Sequence, residues 1–141
     1  AFFSQLLDKV KARHPNLTSA TKVYPQSWFN FPVGRVGFAI ASAFGQNNLF
    51  RVELYIDTGE KAKNKAASDA LYEDREAIEA SIGHPVVWQR LDGKQSSRIY
   101  CGTEGSIDDD PQHLEELQEW ALDLVWAFRK VFRPRVQKLR L

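Results

Sequence analysis

The 141-residue sequence has no methionine, a single cysteine, no glycine-rich loop and almost no net charge, and each shortage removes a class of protein. With Cys101 alone no internal disulfide can form, which points to a reducing compartment. There are 19 basic and 18 acidic residues, a formal charge of +1, which excludes a histone-like polycation but leaves room for local anion-binding patches. No apolar run approaches the roughly 20 residues a membrane helix needs, and the first turn is amphipathic rather than signal-peptide-like. The expectation is a cytoplasmic protein with no membrane partner. Since the chain begins at Ala1 and has no methionine anywhere, it also reads as a fragment or C-terminal domain of a longer protein.

The usual signs of chemistry are scarce too. A restriction-type nuclease core wants an Asp and then Glu-x-Lys on the next strand to hold Mg²⁺. Glu53 is followed by Leu54 and Tyr55, and Asp92-Gly93-Lys94 has the spacing but the composition of a turn. His14, His84 and His113 are far apart, without metal-ligand spacing. Cys101 has no basic neighbour in sequence and reads as small core filler. The chain is expected to be non-catalytic and to need no cofactor.

What remains is the pattern of one α+β domain over residues 1–141, a mainly antiparallel five-stranded sheet packed with three helices in the order α-β-β-β-α-β-β-α. Phe3, Leu6, Leu7 and Val10 fall on one helical stripe, closed by Pro15 and Asn16. A polar stretch from Thr18 to Gln26 leads into the sheet. Trp28 to Val33 reads as a short strand that Pro32 places at an edge. Val36, Phe38, Ile40 and Phe44 then alternate with Gly37, Ala39, Ala41 and Ala43, the period of two that a strand imposes. After a turn at Gly45–Asn48, Phe50, Val52, Leu54 and Ile56 alternate with Arg51, Glu53 and Tyr55. Thr58 to Ile82 reads as one helix, with Gly83 as its stop. Val86–Leu91 and Ser97–Cys101 form a hairpin across Asp92-Gly93-Lys94. Asp110 and Pro111 open a last helix that Pro134 should end or kink.

The segments FNFPVGRVGF, RVELYID, SRIYC and FRKVFRPRVQKL resemble the domain-of-unknown-function 4268 family across nearly the whole chain. Trp28, Gly34, Arg35, Gly37, Arg51, Glu53, Tyr55, Lys94, Arg98, Trp120, Arg129, Phe132 and Arg133 carry the resemblance. It implies a bacterial or archaeal protein, a nuclease-like domain upstream, and a restriction or defence setting. It implies no reaction.

Three constellations stand out. If the Phe38/Val52 face is the core, Arg51, Glu53 and Tyr55 share the opposite face beside Gly37, Ala39 and Ala41, a shallow trough. Arg98 and Tyr100 join it if the pairing permits. Arginines fork onto phosphates and tyrosines stack on bases. The bland alternatives are Arg–Glu pairing, or burial of this face under the last helix. The second constellation is the acid-free run Arg129, Lys130, Arg133, Arg135, Lys138 and Arg140, a phosphate-tracking stretch or simply the basic end of a helix. The third is Lys61, Lys63 and Lys65 where a helix should begin, best read as a later start capped by Asn64 or Ser68.

The leading expectation is a binding or accessory module of a nuclease-associated or defence protein, contacting nucleic acid or a partner domain. Arg35, Arg51, Arg98 and Arg133 are its anchors, with Tyr55 as a stacking platform. Two alternatives are a metal-dependent nuclease-like enzyme using Glu53, and a structural homodimer built on an exposed stripe around Trp120 and Trp126.

Overall fold

The computed structural model describes residues 1–23 and 26–141; part of the stretch leading into the sheet, at 24 and 25, lies outside the described residues. These residues form α1 (Phe2–Arg13), β1 (Trp28–Pro32), β2 (Phe38–Phe44), β3 (Leu49–Ile56), α2 (Lys61–Glu73), α3 (Arg75–Ile82), β4 (Val87–Gln89), β5 (Ser97–Glu104) and α4 (Pro111–Lys138). All strand pairs are antiparallel, in the spatial order β1-β2-β3-β5-β4. The α+β class and the five-stranded sheet agree with the sequence reading. The helix count does not: four helices are described rather than three, in the order α-β-β-β-α-α-β-β-α, ending on a helix of 28 residues.

The extra helix arises at Asp74, where φ −101° and ψ 20° interrupt what the periodicity presents as one continuous helix. The two halves serve different surfaces. Ala67 and Leu71 of α2 face β3 and β5, whereas α3 turns to pack on α4. Asp74 is fixed at the corner by a 2.8 Å bond from Arg135 Nε. The later start expected for α2 is not seen, since the helix begins at Lys61. Pro134 lies inside α4 and does not end it, the helix running on to Lys138. The Asp110 cap is present, its carboxylate accepting from His113 N at 2.9 Å.

The β2–β3 hairpin fixes the rest of the sheet. Asn47 and Asn48 take φ 59° and 57°, a left-handed region in which asparagine is among the most tolerant residues. The turn holds the register Phe38↔Ile56 through Phe44↔Phe50. Because side chains alternate, one face then carries Phe38, Ile40, Phe50, Val52, Leu54 and Ile56, joined by Phe29, Phe31, Ile99 and Cys101. These are almost completely buried under Leu6, Val10, Leu71, Leu124, Phe128 and Phe132 of the helices. Among the described residues the helices lie on this side of the sheet, α3 packing on α4, and none covers the other face.

Candidate functional site

The register arranges the uncovered face in four rows. The first is Trp28, Ala43, Arg51 and Gly102; the second is Asn30, Ala41, Glu53, Tyr100 and Val87; the third is Pro32, Ala39, Tyr55, Arg98 and Gln89; the fourth, at the hairpin end, is Leu49 and Glu104. The alanines of β2 thus form a floor between a β1 wall (Trp28, Asn30) and a β3 wall (Arg51, Glu53, Tyr55). Two strand spacings separate the walls, about 10 Å. The trough has a volume of about 470 Å³ and is also lined by Ser27 and Phe44. Ala41 and Ala43 are nearly inaccessible although no helix lies over them, so the walls stand close on either side.

The rims of this face are aromatic and cationic. Trp28 is 45% exposed and Tyr55 37%. Arg51 donates from Nε to Glu53 Oε1 at 2.7 Å. Arg98 approaches the other carboxylate oxygen, Nε to Oε2 3.8 Å, too far for a hydrogen bond. Glu53 itself is only 3% exposed. A buried carboxylate flanked by two guanidiniums is a cluster of net charge +1 set into the face.

The structure therefore brings Arg51, Tyr55, Arg98 and Glu53 together, as the alternation and the β3–β5 pairing require. The Arg–Glu pairing named as the bland alternative is present; burial of this face under the last helix is not. Arg35 and Arg133 lie elsewhere, at the C-terminal end of α4. Arg35 Nη1 donates to Val136 O (2.9 Å), which also accepts from Leu139 N, and to Leu139 O (2.6 Å), tying the β1–β2 connection to the helix end. Arg133 is exposed beside Gly34. In the same basic run, Arg129 donates to Leu17 O and Pro32 O and Arg135 to Asp74, so much of that stretch ties elements together.

The third constellation has an internal explanation. Lys65 is buried, its ammonium donating to Arg90 O, Leu91 O, Ser96 O and Ser97 Oγ at 2.6–3.0 Å. Asn64 accepts from Thr58 N and Thr58 Oγ1 and donates to Asp57 and Gln95 O. The two side chains bind α2 to loops rather than to an anion. Trp120 packs on Phe50 (5.7 Å between centroids) and Trp126 stacks on His14 (4.0 Å, 8°), so neither stands free as part of an apolar stripe.

A family model described as "Domain of unknown function (DUF4268)" matches residues 1–136. The chain belongs to the DUF4268 family. No match was found among curated proteins or solved structures. The rows of the open face all fall within the matched span, so they are part of the DUF4268 domain itself. Among the described residues, no three His, Cys, Asp or Glu side chains of this DUF4268 chain are grouped to hold a metal ion. Cys101 is buried beneath the sheet, and burial pushes its thiol up to about 11.

Three contributors to the face escaped the sequence reading. Asn30 and Trp28 form the β1 wall, and the inward Phe29 and Phe31 already implied that their neighbours point outward. Gly45 is the third: a Cβ there would collide with Arg51 Nη1, so only glycine lets the guanidinium lie across the hairpin. No local pattern announces that role.

Proposed function

We propose that the open sheet face of this DUF4268 domain binds single-stranded nucleic acid, and that the domain is a non-catalytic accessory module. One observation carries the reading: exposed Trp28 and Tyr55 rings stand beside Arg51 and Arg98 on a sheet face that no described helix covers. Sequence-tolerant strand binding combines these two ingredients, aromatic surfaces for base stacking and cations along the backbone. A duplex is a poorer occupant, because its base edges are reached through grooves that admit a helix or a two-stranded ribbon. An enzyme reading through Glu53 is not favoured. Its carboxylate already faces two guanidiniums, where a metal ligand or general base needs an open side. A nuclease-like domain upstream is the partner that this function expects.

The test is a fluorescence titration with a short labelled oligothymidylate and its RNA counterpart, at low and at high salt. Binding should weaken as salt rises, and Arg51→Ala with Arg98→Ala should lower affinity at least about tenfold. Absence of binding at low salt, or an unaffected double variant, would refute it.

A further inference from the structure

Glu53 is where this face departs furthest from a solvated sheet surface. A carboxylate on an uncovered strand would ordinarily stand in water, yet this one is 3% exposed, beneath its neighbours. It meets both arginines on the same side of the guanidinium, at Nε: 2.7 Å for Arg51 and 3.8 Å for Arg98. An arginine taken at Nε keeps Nη1 and Nη2 free, and among the described residues neither Arg51 nor Arg98 donates from them. Oε2 and Arg98 Nε are left buried and unpartnered. Buried polar atoms without partners are rare in finished structures and call for an explanation.

We propose that Arg51, Glu53 and Arg98 form a seat for one phosphodiester of the bound strand, with Glu53 as the positioning residue that aims both guanidinium forks. This rests on the strand-binding reading above and adds to it the group recognised and the residue that arranges recognition. Two cations and one anion leave +1, which matches the single charge of a phosphodiester rather than the dianion of a terminal phosphate. The forks offer the paired N–H donors that phosphate oxygens accept. Tyr55 stands opposite Arg98, and Tyr100 opposite Glu53, so rings flank the seat where the adjoining bases would stack. An anion between the forks draws Arg98 the remaining distance onto Oε2, satisfying both orphaned atoms. Gly45 keeps room for the Arg51 fork.

Glu53→Gln separates aiming from charge. Charge alone predicts tighter binding, since the cluster goes from +1 to +2. Aiming predicts the reverse, because the amide meets one arginine with a donor and can hold at most one fork. The expected result for a labelled oligothymidylate is about tenfold weaker binding. The plot of log K against log salt should flatten by about 0.7, the share of one single-strand phosphate contact. Gly45→Ala changes no charge and should move both quantities the same way, which keeps the test intact if Glu53→Gln fails to fold. An oligomer with neutral methylphosphonate linkages should bind wild type and Glu53→Gln alike. Wild-type binding with Glu53→Gln equal or tighter, and Gly45→Ala unaffected, overturns this inference while sparing the strand-binding function. Failure of wild type to bind any oligonucleotide overturns both.

Discussion

Replacing Lys65 by methionine should destabilise the fold by about 2 kcal/mol, and the sum can be followed atom by atom. Methionine preserves the buried stem but removes an ammonium that donates to Arg90 O (2.6 Å), Leu91 O (2.8 Å), Ser96 O (2.6 Å) and Ser97 Oγ (3.0 Å). Two of these acceptors keep a partner: Ser97 Oγ donates to Arg90 O at 2.7 Å and Lys94 N to Leu91 O at 2.9 Å. Ser96 O keeps none among the described residues, and a stripped buried acceptor costs roughly 1–3 kcal/mol. Charge-assisted bonds lost elsewhere add to that, being about twice as strong as neutral ones. Relief of ammonium desolvation works in the opposite direction. That burial is the main cause pulling the Lys65 pKa below the ordinary lysine value, with Lys61 and Arg90 adding to it. The residue of these opposing effects, about 2 kcal/mol, lowers the melting temperature by roughly 6 °C in a domain of this size. Urea unfolding followed by tryptophan fluorescence measures it, against Lys61→Met at an exposed neighbouring position, expected within about 0.5 kcal/mol of wild type. Equal costs for the two variants would show that the ammonium clamp contributes nothing.

Four further outcomes follow from single side chains. Arg35→Ala removes two hydrogen bonds given by Nη1 to the end of α4 and should cost about 1–2 kcal/mol, with faster amide exchange confined to its last turn; unchanged exchange there would rule out the capping role. Cys101, its thiol pushed up to about 11 by burial, should react with a disulfide-exchange reagent at mildly alkaline pH only as fast as the protein unfolds, and a prompt burst would contradict its placement. In an NMR titration His113 should lie above the ordinary histidine value, raised by its bond to Glu104 O and by the Asp109 and Glu116 carboxylates. His14 should lie below it, lowered by burial and by Arg13 and Lys130. A raised folded pKa stabilises fully below the unfolded value near 6.5 and is lost as pH climbs through the folded one, so the stability gap between wild type and His113→Gln should narrow with rising pH.

Much of the sheet was legible because it is written locally. Alternation from Phe38 to Ile56 and a turn rich in glycine and asparagine specify β2, β3 and their register without distant information, whereas Val36, which the pattern places in the strand, lies in the turn before it and is 96% exposed. The same alternation separates Arg51, Glu53 and Tyr55 from the core. What lies beyond local pattern is pairing across long separations. That β5 rather than β4 lies against β3, which brings Arg98 to Tyr55 and Tyr100 to Glu53, follows from the crossover through α2, α3 and β4. The burial of Glu53 follows in turn, since it needs side chains from two strands to close over it. At the break, Asp74 pairs with Arg135, far off in the sequence. Near the start of α2, the buried Lys65 gathers carbonyls around the β4–β5 connection. Helix periodicity records neither.

With the helices on one side, the other face has to meet water, and there are inexpensive ways to make a sheet do so. Threonines, lysines and glutamates with exposed heads give solubility and discourage edge association at little cost. This face does otherwise. Its second strand, β2, presents Ala39, Ala41 and Ala43, which contribute no polarity, while Trp28 and Tyr55 stand exposed on either side. One of its two carboxylates, Glu53, is withdrawn from solvent, where two arginines must compensate for lost hydration and one of them does so across 3.8 Å. Partly buried ion clusters gain little stability over apolar packing of the same volume, because desolvation opposes the Coulombic attraction. A solubility surface therefore has no need of this arrangement and stability gains little from it. The proposed pair of aimed guanidinium forks beside exposed rings would account for both the withdrawn carboxylate and the alanine floor.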